Sequence, residues 1–511
     1  MDRREFLRRS GLVGGGVLLG GPALLAACSD GGGDDGGTAN GSETSGTRIA
    51  PSVLDMPARD APIDTVVVVM MENRSFDHYL GWLATNEDYL EAGRSRYGED
   101  FSVNGRQEQA FPAPDGKDIA TYYLPDHRGE SNPYRGCGHP DPGHGWDSGR
   151  AQRDGGFLAP GSGNDQYALG YYRGADTPFT SQLLTRFAVF DRWNASLLAP
   201  TYPNREYLHS GTSGGNKANV FASTSDGFQW PTIWDRLAAA GVPNGYYYVD
   251  LPTTALWGPR LLSISHPIDQ YFADAEAGTL PNVVFVDPGF LTDSRTDDHP
   301  HADIRAGQRF LRDVFSAFES SPSWPRGVFV LTYDEWGGFF DHVTPPQLPD
   351  DMASSDDANN FGQAGFRVPA VVASPFARRG YVEPAQADHT AVLRFLEWRF
   401  LGAPPEGPGN DNDTWFLTTR DRNALNLGVV LTAEDPDPDP GFDLNVQIDP
   451  PTPGCTEPEA PPLAEQEVAS MTAAATERPL PSSFEVAMEE GEFERMGHRV
   501  RPSTMARQWV A

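Results

Sequence analysis

Short, unbroken apolar runs alternate along the chain with segments whose apolar residues recur at helical spacing. The runs are Thr65–Met70, Phe187–Phe190, Asn282–Val286, Val328–Thr332 and Val368–Ala373, each closed by polar, Gly or Pro positions. Runs rich in β-branched and aromatic residues, without polar alternation, suit strands covered on both faces, as in a parallel sheet. Between 304 and 318, Phe310, Leu311, Val314, Phe315 and Phe318 fall on one helical face, and between 390 and 401 Val392, Leu393, Leu396 and Phe400 do the same. Strand and helix in alternation predict an α/β fold with a central, mostly parallel sheet flanked by helices. Ligands of such sheets gather beyond the carboxyl ends of the strands.

The pattern lapses at both ends of the chain. Arg3-Arg4-Glu5-Phe6-Leu7 precedes a glycine-rich apolar stretch, Gly11 to Ala27, that closes on Leu25-Ala26-Ala27-Cys28. Twin arginines, a short apolar core and small residues before Cys predict a twin-arginine export signal over 1–27, with a lipid attached at Cys28. The competing reading, a membrane anchor helix, is disfavoured because six glycines and Pro22 make a poor span. Residues 28–60 read as a flexible Gly/Asp/Ser tether and 61–432 as one even block. From 433 to 511 the chain is acidic and Pro-rich, which predicts an extended, loosely packed tail with one short amphipathic helix near 463–476.

Composition narrows the class. Asp and Glu number 71 against 39 Lys and Arg, a net charge of −32, which excludes nucleic-acid binding through a basic surface. Three cysteines exclude a disulfide scaffold or a multi-cysteine metal site. If Cys28 carries lipid, Cys137 and Cys455 remain, and the sequence leaves their pairing open.

Two strand ends carry the chemistry. Thr65–Met70 leads into Met71-Glu72-Asn73-Arg74-Ser75-Phe76-Asp77-His78, and Val328–Thr332 into Tyr333-Asp334-Glu335-Trp336-Gly337-Gly338. Glu72, Asn73, Asp334 and Glu335 offer the carboxylate and amide oxygens that hard divalent cations take. Helix capping is the alternative use of one such cluster; two on like strands, with a glycine pair permitting close approach, favour the metal. Thr201 stands between Pro200 and Pro203, a rigid turn that fixes its hydroxyl, and a hydroxyl beside a cation can attack phosphorus; ordinary loop chemistry accounts for the same spacing. His144 and His299, in loops, could bind phosphate oxygens or protonate a leaving group, or be surface residues.

Met71 to Gly81 resembles the opening signature of the bacterial phosphoesterase family, which holds exported phosphatidylcholine-hydrolysing phospholipases C and related acid phosphatases. Pro200-Thr201-Tyr202-Pro203-Asn204-Arg205, Ser210-Gly211-Thr212, Asp298-His299-Pro300, Tyr333 to Val343, Arg367-Val368-Pro369-Ala370, Asp388-His389-Thr390 and Glu397-Trp398-Arg399-Phe400 follow in the family's order. The resemblance spans about 62–402 and implies an alkaline-phosphatase-like fold over the 61–432 block. It implies Glu72, Asn73 and Asp334 as metal ligands, Thr201 as nucleophile and ligand, and His144 and His299 on the transferring phosphoryl group, one of them protonating the departing oxygen. Glu335 holds the second acidic position, as ligand or beside the ligands; His301 stands where the family varies. The metal is Ca, Mg or Mn by its oxygen ligands, with Zn not excluded.

The implied activity is hydrolysis of a phospholipid or small phosphoester, in the first place phosphatidylcholine to diacylglycerol and phosphocholine through a phosphothreonine. An acid phosphatase on the same scaffold and a phospho-ligand-binding surface lipoprotein are the alternatives. A sulfatase is disfavoured, since Cys137 lacks the signature of the modified nucleophile. Trp146, Tyr202, Trp336 and Tyr246-Tyr247-Tyr248 could cage a choline ammonium or pack in the core. The expected location is periplasmic or cell-surface, after export by the twin-arginine machinery, with a lipid anchor at Cys28.

Overall fold

The computed structural model describes residues 51–126, 132–402, 415–434, 436–439, 441, 443–452, 482–498, 500, 503 and 505–511. The export signal, Cys28, residues 28–50 of the tether, Cys455 and the expected helix at 463–476 lie outside the described residues.

Eight strands form the central sheet: β1 (Thr65–Met71), β2 (Ala188–Phe190), β3 (Asn244–Tyr248), β4 (Ser265–Pro267), β5 (Val283–Asp287), β6 (Gly327–Tyr333), β7 (Ala370–Ala373) and β8 (Tyr381–Glu383), in the order β8-β2-β7-β6-β1-β5-β3-β4. Every residue of β1, β5, β6 and β7 is buried, as their unbroken apolar runs require. All neighbours pair in parallel except β7, which runs against both β6 and β2. The reversal has a local cause. After β6 the chain stays at the carboxyl end of the sheet, where Arg367 pairs with Asp77 and Asp341, and it re-enters from that end.

The expected helices are present as Ile304–Glu319 and Thr390–Leu396, with Phe310, Leu311, Val314, Phe315 and Phe318 of the first all buried. Among the described residues no helix is long and apolar enough to cross a membrane. Two expectations change. Tyr246-Tyr247-Tyr248 belongs to β3, a strand whose aromatic composition hid it among aliphatic ones. Among the described residues of the tail, helices Ser483–Glu489, Glu492–Arg495 and Ala506–Val510, with Met496 just past the second, bring Phe484, Phe493, Met496 and Trp509 into the main core, where the composition predicts loose packing. The acidic average of the tail masks these few apolar residues.

Candidate active site

Register sets the site. In the parallel pair β1–β6, Met71 lies opposite Tyr333, so Glu72 and Asp334 leave adjacent strands at the same level. The N–H of Asn73 donates to Asp334 Oδ1 at 3.1 Å, which also accepts from the N–H of Glu335 at 2.6 Å. Asn73 holds φ 58°, a left-handed conformation uncommon outside glycine, at the point where its side chain turns into the site. The glycine pair is required here. Gly337 (φ 62°) would carry a Cβ 2.1 Å from Asn73 O, and Gly338 (φ 72°) one 2.7 Å from Gly143 O.

Thr201, expected in a loop turn, is instead the first residue of helix α1 (Thr201–Ser210), with Pro203 tolerated in its first turn. The side chain of Asn204 fixes the entry to this helix. It donates to the carbonyls of Leu197, Ala199 and Pro200 at 3.1, 2.8 and 3.2 Å and accepts from the N–H of Leu197 at 2.9 Å. Asn219 Oδ1 caps the N–H of Tyr202 at 2.8 Å. One turn on from Thr201, and on the same face, Arg205 lies 3.4 Å from Glu72, 3.3 Å from Asp334 and 3.1 Å from Asp287, all fully buried or nearly so. Arg205 thus brings the start of α1 to the ends of β1, β5 and β6.

Glu72 Oε1 and Oε2, Asn73 Oδ1, Asp334 Oδ2 and Glu335 Oε1 are buried and have no hydrogen-bond partner. Buried carboxylate and amide oxygens are ordinarily satisfied, and one arginine does not balance three acids. Burial and the charge of Asp334 push both Glu72 and Glu335 well above the usual carboxylate range. Burial also raises Asp334, against the pull of Arg205. The donors are all oxygen and the charge deficit is negative, so these residues fit a divalent cation. Glu335 Oε2 is already engaged by the N–H of Gly337 at 2.7 Å, leaving its other oxygen for the cluster.

His144 meets the cluster from another side, its Nε2 3.5 Å from Asn73 Nδ2. His299 lies edge-on to it, with ring centres 6.0 Å apart. Each imidazole is oriented by a backbone carbonyl: Nδ1 of His144 donates to Pro142 O at 2.7 Å, and Nδ1 of His299 to Pro300 O at 2.8 Å. The carbonyls thereby leave both Nε2 atoms for the site. Burial, reinforced by Arg295, holds His299 well below the usual imidazole range, so it is neutral near pH 7. Asp141 completes this side, its Oδ2 3.6 Å from His299 Nε2, and its ligand atom lies within 4.8 Å of those of both histidines.

Sequence reasoning passed over Arg205 and Asp141. The first stands four residues after Thr201 and the second three before His144, which are the available signals. A second acid–histidine group, Asp77, Asp341 and His342, is internally satisfied. Arg367 pairs with both acids at 2.9 Å, and His342 is held by Asp77 at 2.5 Å and Asn104 at 2.9 Å. His301 turns away, its Nε2 2.9 Å from His139 O. The aromatic residues pack rather than form a cage. Trp336 is fully buried with its N–H on Gln152, Tyr202 packs on Phe484, and the Trp146 ring already carries Arg150 at 3.7 Å and Lys217 at 4.8 Å. Cys137 is disulfide-bonded, and Cys455, whose pairing with it the sequence leaves open, lies outside the described residues.

Residues 63–401 match the model of the Phosphoesterase family. The chain is 30% identical over 409 residues to non-specific phospholipase C6 of Arabidopsis thaliana, covering 73% of this chain and 72% of that protein. It is 27% identical over 400 residues to a non-hemolytic phospholipase C of Pseudomonas aeruginosa, covering 66% of this chain and 54% of that protein. Among solved structures it is similar to a protein in the alkaline phosphatase superfamily from Vibrio parahaemolyticus, at 11% identity and a TM-score of 0.29, covering 53% of this chain and 70% of that one.

Proposed function

The chain belongs to the phosphoesterase family, and on that premise we propose that this hydrolase of phosphoric ester bonds is a metal-dependent phospholipase C that cleaves phosphatidylcholine. The observation that carries the reading is the cluster of five buried oxygens without hydrogen-bond partners, beside Arg205, which stands one turn after Thr201 on α1. Glu72, Asn73 and Asp334, with Glu335 and the Thr201 hydroxyl, would hold a divalent cation. Bound there, the cation lowers the proton affinity of the hydroxyl and offsets charge on the phosphoryl oxygens.

The protein's own groups do the rest. Asn204 and Asn219 fix the first turn of α1, so Thr201 Oγ is aimed before substrate arrives. Thr201 Oγ bonds to phosphorus and the bond from phosphorus to the glycerol oxygen breaks. The proton that the Thr201 hydroxyl gives up passes to Nε2 of His144 or His299 and from there to that oxygen, which leaves as the diacylglycerol hydroxyl. Water then adds to the phosphothreonine, releases phosphocholine and restores the hydroxyl. The imidazoles stand opposite the oxygen cluster and touch the phosphoryl group, with Nε2 as the reacting nitrogen.

Export belongs to the same proposal: residues 1–27 direct passage through the twin-arginine route and Cys28 carries the lipid, leaving the enzyme periplasmic or on the cell surface. Arg3→Lys with Arg4→Lys is expected to retain the protein in the cytoplasmic fraction; unchanged distribution would contradict that part. The activity is tested with p-nitrophenyl phosphorylcholine. Turnover should stop in chelator, return with divalent cation and be absent from Thr201→Ala.

A further inference from the structure

The chain from Ser482 onward lies outside the family-matched residues 63–401, yet it ends against both sides of the candidate site. Helix α2 (Ser483–Glu489) makes the contacts. The carbonyl of Ser483 accepts from the Tyr202 hydroxyl at 2.9 Å, and Tyr202 directly follows Thr201. The Phe484 ring lies 4.6 Å from Tyr202 and 4.3 Å from Phe290, with the Arg205 guanidinium 5.7 Å from its centre. Glu485 accepts from Arg295 at 3.0 Å, from the Thr292 hydroxyl at 2.7 Å and from its N–H at 3.3 Å. The Ser482 hydroxyl donates to Phe290 O at 2.9 Å.

Two separate parts of the site are therefore held by one element. Tyr202 and Arg205 belong to the helix that starts at Thr201. Phe290, Thr292 and Arg295 belong to the irregular segment between β5 and His299, which has no sheet or helix ladder to fix it. Asp250 holds the N–H groups of Phe290 and Leu291 at 3.0 Å from one side, and the contacts of α2 hold Phe290, Thr292 and Arg295 from the other. Phe484 is fully buried over Arg205, so it also keeps water from the ion pairs that arginine makes with Glu72 and Asp334.

We propose that α2 is a clamp that aligns the Thr201 helix with the His299 segment, and that Phe484 and Glu485 are positioning residues for phosphoester hydrolysis. The proposal rests on the hydrolase reading above. It assigns the C-terminal segment a part in turnover rather than in folding alone, because its contacts converge on two catalytic elements and displacement of such groups by about 1 Å costs on the order of 100-fold in rate.

The test uses the full chain with Glu485→Gln, Phe484→Ala, the conservative Phe484→Leu, and Glu489→Gln as an exposed control on the same helix. Hydrolysis of p-nitrophenyl phosphorylcholine is split into kcat and KM, thermal melting is followed, and amide hydrogen exchange is measured over 288–301 and 199–206. The expected result is a fall in kcat of about tenfold or more in Glu485→Gln and Phe484→Ala, with KM little changed, cooperative melting retained and faster exchange in both segments. Phe484→Leu should recover most of the rate, and Glu489→Gln should match the parent. Unchanged kcat in both variants would overturn the proposal, whether or not exchange rises. If the parent protein hydrolyses no phosphoester, the hydrolase reading fails, and exchange alone then decides the clamp, with unchanged protection overturning it.

Discussion

Glu72 and Asp334 emerge side by side because Met71 and Tyr333 are register partners in adjacent parallel strands. Neither residue could be brought to the other by a local turn, since more than 250 residues of sequence separate Asn73 from the Asp334 oxygen that accepts its N–H. The sheet therefore builds the acidic cluster, and α1 supplies Thr201 and Arg205, which partly neutralises it.

Gly337 should not tolerate a side chain. A Cβ there would stand 2.1 Å from Asn73 O on a residue already at positive φ. Gly337→Ala is expected to destabilise the fold by about 1–3 kcal/mol and to weaken cation binding by displacing Asn73. Calorimetric titration with Mn²⁺ alongside thermal melting measures both; affinity equal to the parent would contradict the placement of Asn73 among the ligands.

Arg205 is expected to be worth more in the absence of cation than in its presence. Removing one partner of a buried ion-paired set costs about 3–5 kcal/mol, because Glu72, Asp287 and Asp334 are left facing one another. In Arg205→Ala the melting temperature should fall steeply in chelator and less in excess divalent cation. Equal losses in both conditions would show that cation and arginine do not share these carboxylates.

Stability of the cation-free protein should pass through a maximum near neutral pH. Burial lowers His299 well below its usual range and His301 and His389 to about 4. Unfolding therefore takes up protons below the ordinary imidazole value of about 6.5, and stability falls as pH falls through it. On the other side, burial raises Asp297 to about 7, Glu397 to about 9, and Glu72 and Glu335 well above their usual range. A group that holds its proton more tightly when folded contributes stability that is lost as pH rises through its folded value. Added divalent cation should lift the alkaline limb, where Glu72 and Glu335 must ionise, and leave the acid limb alone. Melting curves from pH 5 to 9 with and without cation check this, and a cation effect confined to the acid side would contradict it.

The strands that carry the site were legible because burial on both faces forces unbroken apolar runs, and Glu72, Asn73, Asp334 and Glu335 stand immediately past two of them. Their meeting depends on strand register, which no local pattern encodes. Arg205 escaped for the same reason, since its partners stand at the ends of three different strands. Thr201 was legible as a fixed hydroxyl between prolines but not as the first residue of a helix, because Pro203 is as acceptable in a first helical turn as in a loop. The reversed strand β7 and the tyrosine-rich β3 carry no distinguishing signal of direction or type. In the tail, Phe484 and Trp509 were outweighed by acidic and proline neighbours, although each is fully buried and packs its own short helix into the main core.

The most direct test compares hydrolysis of p-nitrophenyl phosphorylcholine with that of p-nitrophenyl phosphate by the protein from residue 29 onward, with chelator and with Thr201→Ala. The predicted result is turnover chiefly of the choline diester, abolished by chelator and reduced about a thousandfold or more by Thr201→Ala. Preference for the monoester would make the enzyme a phosphatase on the same site. Undiminished turnover by Thr201→Ala, or full activity in chelator, would contradict the assignment of Thr201 and of the Glu72, Asn73 and Asp334 cluster.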